Sequence, residues 1–303
     1  MKRISLLLAA ALVFLLTGCG APREYAQVAA TTLPVYEFTA RLCEDTGITV
    51  SRLVTDSVSC LHDYSLNVSQ VRAAEAAEVI VMNGAGLEEF MEDILADKNS
   101  IDASAGIGLL EYEESHDHEH AHDHEHDHIE EDHEGHHHEV DSHIWLSPVN
   151  AKVMATNICG GLTAQYPGYA AVFASNLETL LSDLEALQAY GETQLAELSC
   201  RDLITFHDGF AYLAKAYDLH ILEAVEEESG SEASAAELKY LITEVRHHTL
   251  PAIFTEVNGS VSAATVISAE TGTIAYPLDM AMAGDSYFDA MYHNIDTLKE
   301  ALG

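Results

Sequence analysis

His62, His143, His207 and Asp279 are the residues of this sequence whose types and placement could do chemistry together. Three imidazoles and one carboxylate make a four-coordinate set for a divalent transition metal. Neutral imidazole nitrogen ligates zinc at about 2.0–2.1 Å and carboxylate oxygen at about 2.0–2.2 Å. The four stand far apart along the chain, so only the fold could assemble them. His207 directly follows the apolar run Leu203–Phe206, and His62 lies a short loop beyond Ile48–Val54. Asp279 lies just past Thr273–Tyr276, and His143 stands where ordinary sequence resumes after a low-complexity run. In open α/β sheets, ligands bind just beyond the carboxyl ends of strands. His220, His247, His248 and His293 lack such positions and read as ordinary surface or hydrogen-bonded histidines.

A second supply of imidazoles is concentrated in one run. His116, His118, His120, His122, His124, His126, His128, His133, His136, His137 and His138 alternate with Asp and Glu. Apolar periodicity is missing from residues 111–141, which reads as a disordered insertion. Three of its segments match H-E-x-x-H, starting at His118, His124 and His133. That pattern means a metalloprotease only on an ordered helix, and an alternating low-complexity run generates it by chance. The functional reading is a flexible zinc collector with sites weaker than a cleft, because ordering the loop opposes binding. The alternative is a solvated charge spacer.

The elements that would position these residues follow a β–α rhythm. Gln27–Thr31, Ile48–Val54, Glu78–Met82 and the short Ile101–Ala103 read as strands, with helices over Val68–Ala77 and Leu87–Leu95. Ser147-Pro148 starts a helix reaching about Gly161. Leu177, Leu180, Leu181, Leu184, Leu187, Leu195 and Leu198 then mark a helix of about 28 residues, roughly 40 Å long. Gly191 falls inside it, at about 1 kcal/mol relative to Ala. Strands at Leu203–Phe206, Ile221–Val225, Ala252–Val257 and Thr273–Tyr276 alternate with helices at Gly209–Tyr217, Ala235–His247, Val261–Glu270 and Tyr287–Leu302. The expected class is α/β: two lobes with parallel sheets joined by one long helix, with a metal site in the cleft between them.

The chain of 303 residues carries 13 Lys+Arg against 50 Asp+Glu, a net charge of −37. Neutralising phosphates needs clustered cations, so nucleic acid is excluded as a partner. A cation is what such a field attracts. Lys2 and Arg3 precede the apolar run Ile4–Leu16, which closes on Leu16-Thr17-Gly18-Cys19. This reads as a lipoprotein signal peptide over residues 1–19, with Cys19 as the lipidated residue and the membrane reached through that anchor. An N-terminal lobe over 20–165, the linking helix over 166–199 and a C-terminal lobe over 200–303 follow. Cys43, Cys60, Cys159 and Cys200 form no C-x-x-C pair and read mostly as reduced, buried side chains.

Several blocks together resemble one family, the metal-binding substrate-binding proteins of bacterial ABC importers for zinc and manganese. They are Thr31-Thr32-Leu33-Pro34-Val35-Tyr36, His62-Asp63-Tyr64, Asp141-Ser142-His143-Ile144-Trp145-Leu146-Ser147-Pro148 and Thr205-Phe206-His207-Asp208-Gly209-Phe210-Ala211-Tyr212-Leu213. Asp285-Ser286-Tyr287, leading into Asn294 and Leu298, completes the set. The family commonly has Pro before the first two His; here those positions are Leu61 and Ser142. The resemblance implies that the three matching His bind the metal, with Asp279 or a water as the fourth ligand. It implies no catalysis, and as partners an ABC permease and its ATPase. Manganese-type members tend to have Glu at the position of His207, and three imidazoles suit zinc better than manganese. Zinc is therefore the expected transported ion. A manganese-type receptor, a stand-alone metal buffer and, further off, a zinc hydrolase are the alternatives. Cys60, two residues before His62, is either a small packing residue or a further ligand.

Overall fold

The computed structural model describes residues 25–55, 61, 64–111, 140–225 and 233–303. Cys19, Cys60, His62, the eleven histidines of the acidic run and the signal segment lie outside them.

Two four-stranded sheets form the frame, and every strand pair is parallel. The first holds β1 (Val28–Ala30), β2 (Val50–Arg52), β3 (Val79–Met82) and β4 (Ser100–Asp102) in the order β2-β1-β3-β4. The second holds β5 (Asp202–Thr205), β6 (His220–Ala224), β7 (Ala252–Glu256) and β8 (Ile274–Leu278) in the order β6-β5-β7-β8. The two lobes thus share one strand order. In each, the chain reverses its direction of winding at the first strand, between β1 and β3 and between β5 and β7. Crevices at such switch points, at the carboxyl ends of the strands, are where α/β sheets bind ligands.

Both sheets are covered on both faces, as the nearly continuous apolar strands require. Each lobe has its own outer core: Ala29, Leu53, Ile80 and Met91 in the first, Ile204, Leu241, Ile253 and Ile267 in the second. The inner faces share one core through a middle layer of helices: α1 (Leu33–Leu42), α4 (Pro148–Gln165), α5 (Ala170–Gln194) and α9 (Tyr287–Leu302). α5 has 25 residues, about 37 Å. It runs unbroken through Gly191, where a Cβ would overlap the Tyr217 ring. That glycine buys a close helix–ring approach rather than an interruption.

Two stretches differ from the sequence reading. α1 follows β1 over a stretch to which the sequence reading assigned no element; Pro34 sits in its first turn, and Leu33, Val35, Phe38 and Leu42 are buried. Leu87–Leu95 is not one helix. A 3-10 turn, Glu89–Met91, precedes a four-residue helix, α3 (Glu92–Leu95). α2 (Val68–Ala76) starts on a capping box built by Asn67 and Gln70. In the second lobe α6 (Ala211–Ala216), α7 (Ala235–His248) and α8 (Ser262–Thr271) agree with the periodicity to within one or two residues. Cys43 and Cys159 are buried free thiols, and burial pushes Cys43 up to about 12. No helix among the described residues is long and apolar enough to cross a membrane.

Candidate metal centre between the lobes

β5 ends at Thr205, and His207 follows two residues later in the crevice beside β7. Across from it, His143 opens the turn Ile144–Leu146, just after the point where Glu111 and Val140 pair as an antiparallel bridge. The Asp141 N–H donates to the Leu110 carbonyl at 2.8 Å, fixing the stem of the acidic run next to His143.

The two imidazoles meet edge to face, with ring centroids 5.2 Å apart and an angle of 88°. Their Nε2 atoms lie 3.4 Å apart. Each Nδ1 faces a buried carboxylate: His143 Nδ1 lies 2.8 Å from Asp141 Oδ1, and His207 Nδ1 lies 3.0 Å from Glu256 Oε1. A carboxylate hydrogen-bonded to Nδ1 holds the proton there and leaves Nε2 with the lone pair, as Asp141 does for His143. Glu256 Oε1 stands within ion-pair distance of His207 Nδ1. Two nitrogens on a single tetrahedral zinc stand about 3.3 Å apart, given bonds of about 2.0–2.1 Å. The pair is therefore spaced as two ligands of one ion.

The rings approach this closely because Gly209 has no side chain. A Cβ there would lie 2.5 Å from Met280 Cε, 2.7 Å from His207 Cδ2 and 3.0 Å from His143 Cδ2. Asp141 Oδ1 also accepts the His143 backbone N–H at 2.8 Å, so one oxygen fixes both the turn and the ring.

Asp279 begins the loop after β8. Its backbone is clamped by Asn294 of α9: the Asp279 N–H donates to Asn294 Oδ1 and Asn294 Nδ2 donates to the Asp279 carbonyl, both at 2.7 Å. Asp279 Oδ1 accepts the Ala281 N–H at 2.7 Å, and Trp145 Nε1 donates to the Met280 carbonyl at 2.7 Å. Asp279 and Glu256 line one small pocket. Asp279 does not join His143 and His207 in a three-ligand cluster within 4.8 Å among the described residues.

Buried supports reach further into the first lobe. Asn83, directly after β3, donates from Nδ2 to the Ser142 carbonyl at 3.1 Å. Glu88 folds back onto the same turn, accepting from Thr31 Oγ1 at 2.6 Å, Asn83 N–H at 2.7 Å and Gly84 N–H at 3.0 Å. Burial pushes the Glu88 carboxyl up to about 7, against these hydrogen bonds, which act to lower it. Tyr287 ties the lobes from α9, its N–H donating to Glu37 Oε2 at 2.5 Å and its hydroxyl to the Trp145 carbonyl at 2.8 Å. Asp141, Glu256, Asn83 and Glu88 were not singled out by the sequence. A carboxylate's role beside a ring nitrogen shows only in three dimensions. The one usable signal was Asp141, two residues before His143.

The chain is similar to known proteins along most of its length. The zinc-binding lipoprotein AdcA of Streptococcus pneumoniae (strain TIGR4) is 30% identical over 99% of this chain, which spans 61% of that protein's length. The high-affinity zinc uptake system protein ZnuA of Bacillus subtilis (strain 168) is 31% identical over 91% of this chain and 87% of its own. A crystal structure of ZnuA superposes with a TM-score of 0.76 at 28% identity, covering 92% of this chain and all of that one. Zn(II)-bound AdcA from S. pneumoniae superposes with a TM-score of 0.74 at 25% identity, covering 92% of this chain and 58% of that one. Residues 28–301 match the family described as zinc-uptake complex component A, periplasmic (ZnuA), and the chain belongs to that family.

Proposed function

We propose that this protein is an extracytoplasmic zinc receptor that binds one ion between its lobes and presents it to an ABC permease driven by its ATPase. The observation that carries the reading is the pair of Nε2 atoms, 3.4 Å apart, with a buried carboxylate within 3.0 Å of each Nδ1. His62 would be the third nitrogen ligand, with Asp279 or a water the fourth. Three imidazoles favour zinc over manganese, which prefers more oxygen ligands. Zinc is cargo here, and the protein does no chemistry on it. The relatives named as zinc-binding lipoproteins support an anchor on Cys19.

The test is metal analysis of protein purified without added metal, followed by competition among zinc, manganese and copper. Zinc should occupy the tight site and resist exchange by manganese. Manganese retained in preference to zinc would overturn the reading. Cys19→Ser should move the protein from the membrane fraction to the soluble one; retention after a salt wash would contradict the anchor.

A further inference from the structure

We propose a second divalent-metal site, outside the cleft, formed by Glu244, His247 and His248 at the end of α7. It does not rest on the reading of the cleft. These residues stand at i, i+3 and i+4, the spacing that brings side chains onto one helix face. One ligand atom from each lies within 4.8 Å of the other two, and among the described residues this is the group of three or more that meets that condition. His248 Nε2 lies 3.5 Å from Glu244 Oε2, and the two rings stand 4.8 Å apart at 49°. Tetrahedral ligands about a zinc ion stand about 3.3 Å apart. Small rotamer adjustments of the exposed His247 and His248 side chains toward the half-buried Glu244 would close the remaining gap.

The setting favours a cation. The last carbonyls of a helix lack intrahelical donors, and the dipole is negative at this end. Thr249 terminates α7 in the left-handed conformation, with φ of 53°, so the three side chains sit on its final turn. The neighbouring positive charge is turned away. Arg246 Nη2 donates to the Glu270 carbonyl at 2.7 Å and lies 3.8 Å from the Glu270 carboxylate. Two imidazoles and one carboxylate with open positions for water suit zinc, nickel or copper(II) rather than calcium or magnesium.

The site is separate from the cleft. α7 feeds β7 at its first residue, Ala252, whereas Glu256 and the His207 crevice lie at the other end of that strand. Five strand residues span about 17 Å. No side chain bridges that distance, so the two sites cannot share an ion.

The test reads each histidine of the full-length protein separately. Diethyl pyrocarbonate modifies accessible imidazoles, and peptide mass spectrometry resolves the positions, so the His-rich run does not obscure the result. Zinc is the probe. His247 and His248 should be protected together, with one shared midpoint, while the exposed His293 stays reactive over the same range. Glu244→Gln should raise that midpoint at least about tenfold, and His247→Ala should remove protection of His248. An unchanged modification rate at His293 in both variants reports that the fold is kept. If saturating zinc leaves His247 and His248 as reactive as His293, the proposal fails. It fails equally if protection of His248 survives both substitutions unchanged.

Discussion

Neither imidazole of the cleft pair is aimed by its own backbone alone. Asp141 hydrogen-bonds His143 Nδ1, Glu256 stands 3.0 Å from His207 Nδ1, and Gly209 leaves room for the rings to meet. Carboxylate partners of this kind fix ring orientation and raise ligand basicity, and losing one costs about 10–100-fold in metal affinity. Asp141→Asn and Glu256→Gln should each weaken zinc binding by that order, read by competition with a chromophoric chelator. An affinity within about twofold of the parent in both variants would show that the carboxylates do not tune the rings. Position, one after a low-complexity run and one after a strand, made His143 and His207 candidates only collectively, and the family resemblance carried their assignment. Asp141 had a local signal, two residues before His143, but Glu256 was hidden among 50 acidic residues, because nothing local separates a carboxylate that faces a ring from one that faces water.

At the scale of elements, periodicity recovered both parallel sheets and the long helix, since apolar strands and leucine spacing are local signals. Two failures have local causes. Val35, Tyr36, Phe38 and Thr39 are weak helix formers, so α1 owes its helicity to burial against α4 and α5. Glu88 breaks the expected Leu87–Leu95 helix because its carboxylate folds back onto the Asn83–Gly84 turn. That buried group makes the turn sensitive to pH. Its folded pKa, about 7, lies above the unfolded carboxylate value of about 4.5, so the native state binds its proton more tightly. The resulting stabilisation is fully present below about 4.5 and is lost as pH rises through about 7. Melting temperatures from pH 5 to 8 should show this decline in the parent and a flatter profile in Glu88→Gln. Parallel profiles for the two proteins would contradict it.

Across the whole molecule, one core runs beneath both lobes, and His143 and His207 meet above it with Nε2 atoms 3.4 Å apart. The net charge of −37 gives the chain as a whole a field favourable to cations. The acidic His run begins and ends at the Glu111–Val140 bridge, a few residues from His143. A collector tethered there would raise the local supply of zinc without holding the transported ion. Its binding should fade as pH falls from about 7 towards 6, since protons compete for each imidazole nitrogen.

The most direct measurement is zinc calorimetry at pH 7.5 on four full-length proteins: the parent, a deletion of residues 116–138, His143→Ala and His207→Ala. The parent should show one tight site plus weaker ones, and the deletion the tight site with fewer weak ones. In either histidine variant the tight site should be lost and the weak ones kept. A tight site that disappears with the loop, or persists in both histidine variants, would contradict the central claim that zinc is held between the lobes by His143 and His207.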